Sequence, residues 1–166
     1  VAAGDRDRFY TGRPSPGYRA ERLFVTGETV RLDLVIVYQG YYCDLGRSFA
    51  VGGADADVSA AVSRLREGLT AAISAAVPGA TAGDVAAAGV KALGSAEQAY
   101  PPHWGHGLGV GWEGPWLLPN SDEELAPGYV LAVEATISVG CVTVSGEDDM
   151  LVGDPPEVLT DARWTQ

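Results

Sequence analysis

The chain has 166 residues, 46% of them hydrophobic and 20% charged, with 22 acids against 11 bases and a net charge of −11. That is one domain's length with apolar content for a core, and the acidic balance argues against a nucleic-acid backbone or an anionic membrane as partner. Two cysteines, Cys43 and Cys141, without Cys-x-x-Cys spacing disfavour a disulfide scaffold or a thiolate zinc site; no apolar run approaches the ~20 residues of a membrane helix, and with no signal peptide visible a cytoplasmic setting is expected.

Residues 1–20 hold four arginines among prolines and glycines, and residues 1–26 read as an irregular or edge lead-in; residues 27–166 read as one domain. A β-hairpin is expected over about 30–51, with two runs of β-branched and aromatic residues flanking Gln39-Gly40. With a two-residue loop, opposed residues sum to an odd number. Asp33 and Asp44 then share a face, directly opposite if the loop is Tyr38-Gln39, on a diagonal if it is Gln39-Gly40. Their Cβ atoms would lie roughly 5–8 Å apart. Like charges so placed are destabilising unless something neutralises them, and a divalent metal is the simplest candidate.

Residues 57–77 carry Val58, Val62, Leu65, Leu69, Ile73 and Ala76 at three- and four-residue steps, the stripe of an amphipathic helix. Asp55 or Asp57 can cap it, and Pro78-Gly79 ends it. Thr81 with Asp84 opens a second helix as a capping-box variant, with a stripe through Val85, Ala88, Ala92 and Leu93. Residues 100–119 break this pattern. They hold both histidines, His103 and His106, and three of the four tryptophans among glycines at every second position, which allow close approach of a backbone or ligand. A polar loop follows over 120–124, and Leu125-Ala126-Pro127-Gly128 is a turn. A second strand pair runs over 129–139 and 141–151, and a short strand and loop close the chain to residue 160. Glu134 and Glu147 are thirteen apart, so a two-residue turn at Gly140-Cys141 sets them opposite each other on one face.

Four carboxylates on two hairpins and one imidazole form a hard, oxygen-rich ligand set. It suits Mn²⁺, Fe²⁺, Co²⁺ or Zn²⁺, and four negative charges balance two such ions. Two metals about 3.5–4 Å apart can share a water, lower its pKa and polarise a carbonyl, which favours hydrolysis of an amide-like bond. Solvent-facing acids are the plainer alternative for each pair.

Five segments in order resemble the catalytic domain of the pita-bread metallopeptidases, the family of methionine aminopeptidase, Xaa-Pro aminopeptidase, prolidase and creatinase. They are Gly27-Glu28-Thr29-Val30-Arg31-Leu32-Asp33, the stretch from Tyr38 through Asp44 to Arg47-Ser48-Phe49, Gly105-His106-Gly107-Leu108-Gly109, the run from Leu125 into Glu134, and Gly146-Glu147-Asp148-Asp149-Met150. The resemblance implies an α+β pita-bread fold, a curved, mostly antiparallel sheet backed by helices. It implies two divalent ions, Mn²⁺ favoured. Asp33 would chelate one, His106 and Glu134 would hold the other, and Asp44 and Glu147 would bridge them. A bridging hydroxide would attack the scissile carbonyl, with Glu134 moving the proton.

The chain departs from that pattern in several places. Trp112-Glu113-Gly114-Pro115 stands where the family has His-Glu-x-Pro, so an imidazole that contacts substrate is missing. No histidine precedes His103, and Ala135 follows Glu134 where the family commonly has Pro. Only 32 residues precede Asp33, so the first half of the domain is expected to be shortened, with its sheet covered by a partner chain or a second copy in a homodimer, or the chain to be a fragment. His103 is the candidate to replace the missing imidazole, with a loop or gate role as the alternative. Trp112 and Tyr41 are candidates for substrate binding. Arg47 reads as a structural ion-pair partner, Cys43 as a core thiol on the face away from Asp44, and Trp104 and Trp116 as packing residues.

The expected activity is hydrolysis of a C–N bond in a peptide, of Xaa-Pro aminopeptidase or dipeptidase type. Other metal-dependent chemistry on a small amino-acid derivative, or a binding module without catalysis, are the alternatives.

Overall fold

The computed structural model describes residues 2–4, 23–94, 97–98, 103–140, 142–160 and 162–164. Most of the expected lead-in lies outside them. Its residues 2–4 form a short strand, β1 (Ala2–Gly4), on the edge of the first hairpin. That hairpin is β2 (Thr29–Tyr38) and β3 (Tyr41–Ala50). Its two-residue turn is Gln39-Gly40, both with positive φ (51° and 87°), the backbone that matches the twist of paired strands. The register is that of the diagonal arrangement: Asp33 opposes Gly46, and Asp44 opposes Val35.

Two helices follow. α1 (Ala56–Ala75) begins on Asp55, whose side chain accepts from the Asp57 and Val58 backbone N–H groups. α2 (Ala82–Leu93) begins on Thr81, and the reciprocal Thr81–Asp84 capping box is complete. The α1 stripe is the expected one, widened by Ala61, Gly68 and Ala72. The α2 stripe differs from expectation. Ala82, Val85, Ala86, Gly89 and Leu93 are buried, whereas Ala88 and Ala92 are half-buried. The reason is Trp104, fully buried between the helices: a Cβ on Gly89 would strike its ring, and one on Gly68 would come within 3.0 Å of it.

The remaining strands are β4 (Glu97–Gln98), β5 (Gly105–Leu108), β6 (Trp112–Trp116), β7 (Val130–Val139), β8 (Val142–Leu151) and β9 (Glu157–Val158). The β5–β6 pair lies in the glycine- and proline-rich stretch that lacks an apolar strand pattern. It pairs through its backbone, and Gly105 (φ 130°) lies so close to Ala132 that a side chain would collide with its carbonyl. β7 and β8 form the second hairpin in the expected register, with Glu134 opposite Glu147.

The described strands make one antiparallel sheet in the order β1-β2-β3-β8-β7-β5-β6, with β4 on β7 and β9 on β8. Consequently β3 and β8, one strand from each hairpin, are neighbours, joined at Gly46 and Glu147. A Cβ at Gly46 would lie 2.9 Å from the Glu147 Cβ, so glycine permits this approach. One sheet face packs Leu131, Val133, Ala135, Ile137, Val142, Val144 and Met150 with the helices to make the core. Alternation turns Asp33, Asp44, Glu134 and Glu147 to the other face. No described helix is long and apolar enough to cross a membrane.

Arg47 fastens the junction from the helix side. Its guanidinium donates to Gly46 O and Glu147 O, pairs with Asp148 at 2.5 Å and lies 4.3 Å from the Trp164 ring centroid. Thus its role is structural, as expected. At the far end of the first hairpin Leu34, Val35, Ile36, Val37 and Tyr38 are all exposed, and no described element covers them.

Candidate functional site

The strand order brings Asp44, His106 and Glu147 together from β3, β5 and β8. Each offers a ligand atom within 4.8 Å of the others, and all three are buried. His106 Nδ1 lies 3.0 Å from Gly107 O, an acceptor, so it donates there and leaves Nε2 toward the cluster. Asp44 Oδ2 accepts from Trp112 Nε1 at 2.8 Å, while Asp44 Oδ1 is buried with no hydrogen-bond partner. An orphaned buried oxygen beside another buried carboxylate and an imidazole fits the chemistry of a divalent cation.

The other two expected ligands are on the same face but are otherwise engaged. Asp33, its side chain 42% exposed, pairs with Arg31 Nη2 at 2.6 Å. Glu134 opposes Glu147, and its Oε1 lies 3.4 Å from His103 Nδ1. Neither belongs to the three-residue cluster.

Crowding of acids shapes their protonation. Burial raises the Glu134 carboxyl to about 7; Arg31 opposes the rise, and Asp33 and Asp44 add to it. Glu147 is raised well above its ordinary value, first by burial and then by Glu134, Asp44 and Asp33. Asp44 is also raised by burial, with the Trp112 hydrogen bond working against this. His103 is pushed down by burial and by His106, so it favours its neutral form.

Aromatic side chains line this cluster. Trp112 is 52% exposed and meets Tyr42 edge-on at 5.6 Å. Trp116 lies 5.4 Å from His103 and 5.3 Å from His106, between ring centroids. It is 42% exposed, so it walls the site rather than filling the core as expected, whereas Trp104 is a core residue. Tyr41 is on the wrong side of the strand for the role expected of it. Alternation puts it on the face opposite Asp44, 67% exposed at the hairpin tip, and Tyr42 takes the place beside the site. Cys43 lies on the face away from Asp44 but is half-buried rather than a core thiol. Burial, then a hydrogen bond to Asp149, raises it to about 11.

The model of metallopeptidase family M24 matches residues 1–154. The chain belongs to that family. This M24 chain is 34% identical, over 128 residues, to a Mycobacterium tuberculosis protein named probable dipeptidase PepE; the match covers 75% of the chain and 34% of the relative. Among solved structures, dipeptidase PepE from Mycobacterium ulcerans superposes with a TM-score of 0.79 at 26% identity, over 90% of this chain and 42% of that one. Recombinant prolidase from Thermococcus sibiricus gives 0.77 at 26%, with the same coverages. The fold is the pita-bread fold, and the M24 chain spans about a third of the length of the curated Mycobacterium relatives named probable dipeptidase PepE.

Four participants escaped sequence reasoning in this M24 chain. Arg31 is two residues before Asp33 on one strand, and no motif ties the two. Tyr42 adjoins Tyr41, the residue expected at the site, and Trp116 reads from the sequence only as a packing residue. Asp149 is buried and accepts the Asp44 backbone N–H at 3.1 Å where β3 leaves β8; its place two residues after Glu147, on the same strand face, is the signal that could have revealed it. Its carboxyl is raised to about 6, chiefly by burial.

Proposed function

We propose that the chain carries the catalytic centre of a metal-dependent peptidase that cleaves short peptides, of dipeptidase or Xaa-Pro aminopeptidase type. The observation that carries this reading is the buried Asp44–His106–Glu147 set with Asp44 Oδ1 left unpaired. Membership of the M24 family and similarity to proteins named as dipeptidases and a prolidase support it.

Asp44, His106 and Glu147 would hold a divalent ion; the donors suit Mn²⁺, Fe²⁺, Co²⁺ or Zn²⁺, and the family resemblance favours Mn²⁺. Such an ion supplies a hydroxide near neutral pH and polarises the scissile carbonyl. Glu134, raised to about 7, accepts a proton from the attacking water and returns it to the departing amine. His103 lies beside it, its Nδ1 3.4 Å from Glu134 Oε1. Trp112 fixes Asp44, and with Tyr42 and Trp116 it gives the substrate an apolar wall. A cytoplasmic setting and a covering chain or second copy at the exposed first hairpin belong to the same reading.

The test is a panel of Xaa-Pro, Xaa-Xaa and Met-Xaa peptides with Mn²⁺-loaded protein. Cleavage that falls at least ~100-fold in a folded Asp44→Asn variant is expected. Metal binding with no cleavage across the panel overturns the peptidase reading. It would favour the second reading, metal-dependent chemistry on another amino-acid derivative, to which Trp112 at the family's histidine position already points.

A further inference from the structure

We propose that this site takes one divalent ion rather than two, because Arg31 and Trp112 engage the carboxylates through which a second ion would be held. The inference rests on the metal-dependent reading above and narrows it. A two-ion centre needs Asp33 as a ligand and needs Asp44 to offer both oxygens, one to each ion.

Neither condition holds in this chain. Arg31 and Asp33 are two residues apart on β2, so both side chains lie on the site's face. Nη2 of Arg31 is 2.6 Å from Asp33 Oδ2, and the Arg31 side chain is only 11% exposed. A guanidinium cannot lose its charge at any ordinary pH, so it is a fixed cation at this end of the site and repels a second one. On the other carboxylate, Trp112 Nε1–H points at Asp44 Oδ2 from 2.8 Å. An indole N–H only donates, so that oxygen is engaged by a proton donor and not left open to a cation. What remains is Asp44 Oδ1, buried and unpartnered, with His106 and Glu147. Those are the three residues that converge, while Asp33 stands apart with its arginine. The two residues come from strands far apart in the chain and act on different carboxylates, yet both leave the same single position open.

The test is metal stoichiometry, read by calorimetric Mn²⁺ titration and by elemental analysis after gel filtration. One ion per chain is expected, with the six-line electron paramagnetic resonance spectrum of isolated Mn²⁺. Asp33→Asn should keep one ion with affinity within about threefold. Asp44→Asn should bind none. Arg31→Met combined with Trp112→Phe, which frees both carboxylates, should admit a second ion. Two ions in the unaltered protein, a spin-coupled spectrum, or loss of one ion in Asp33→Asn overturns the proposal and leaves the peptidase reading standing. No ion at all overturns both. A doubly substituted variant that folds and still binds one ion overturns the assignment of Arg31 and Trp112 as the block. If that variant fails to fold, the unaltered protein and Asp33→Asn decide between one ion and two.

Discussion

Trp112 ties a family-level substitution to a contact. Its N–H is spent on Asp44, 68 residues away in sequence, and no imidazole stands at this position to meet a substrate carbonyl. Trp112→His should therefore raise peptide cleavage, by at least ~10-fold on the best substrate of the panel, measured as kcat/KM. An unchanged value would mean that the limit on activity lies elsewhere. Arg47 makes the opposite kind of prediction. It is buried, paired with buried Asp148, and donates to two backbone carbonyls across the β3–β8 junction. Arg47→Met leaves Asp148 without its cation, so unfolding in denaturant should show a loss of roughly 3 kcal/mol. A loss under ~1 kcal/mol would show that Thr160, which also donates to Asp148, suffices.

The hairpins show which parts of the site are legible in a sequence. Odd separations between acids and a Gln-Gly or Gly-Cys turn determine the faces of Asp33, Asp44, Glu134 and Glu147, and the structure has each of them there. Local periodicity suffices because a strand alternates strictly. The β5–β6 pair was illegible, since its strands are made of Gly, His, Trp and Pro and are defined by their neighbours' backbones. The same limit hid the engagement of Asp33 and Asp44 by Arg31 and Trp112, because a hydrogen bond across the sheet leaves no trace in spacing. Gly46 is where two legible elements meet. A side chain there would press on Glu147, so Gly46→Val should pry the hairpins apart. The expected cost is about 1–3 kcal/mol in stability, together with weaker Mn²⁺ binding. Unchanged Mn²⁺ affinity in this variant would show that the strand junction does not set the ligand positions.

At the scale of the molecule, the metal-free protein concentrates Asp33, Asp44, Glu134, Glu147 and Asp149 on one sheet face. Glu134 is raised to about 7 and Asp149 to about 6. Both bind protons more tightly folded than unfolded. Their contribution to stability is complete below the ordinary carboxylate range and is lost as pH rises through about 6 and then about 7. Metal-free Tm, followed by circular dichroism, should therefore rise between pH 8 and pH 5, a window above the titration of Asp84, which Thr81 holds low. The gain should be on the order of 5 °C, at about 2–4 °C per kcal/mol for a chain of this length. Saturating Mn²⁺ at pH 8 should give a comparable gain, because the ion binds the deprotonated carboxylates. A metal-free Tm that falls on acidification would contradict the burial of these acids. The exposed Leu34–Tyr38 strand belongs to the same scale. No described element packs over it.

The indole on Asp44 also makes the protein its own optical indicator. Trp112 is half-exposed and bonded directly to a candidate ligand, whereas Trp104 is sealed in the core. An ion that draws charge from Asp44 changes the field on Trp112, and on Trp116 beside His106, more than on Trp104 in the core. Arrival of Mn²⁺, a paramagnetic quencher, should then be visible in tryptophan emission without label or substrate.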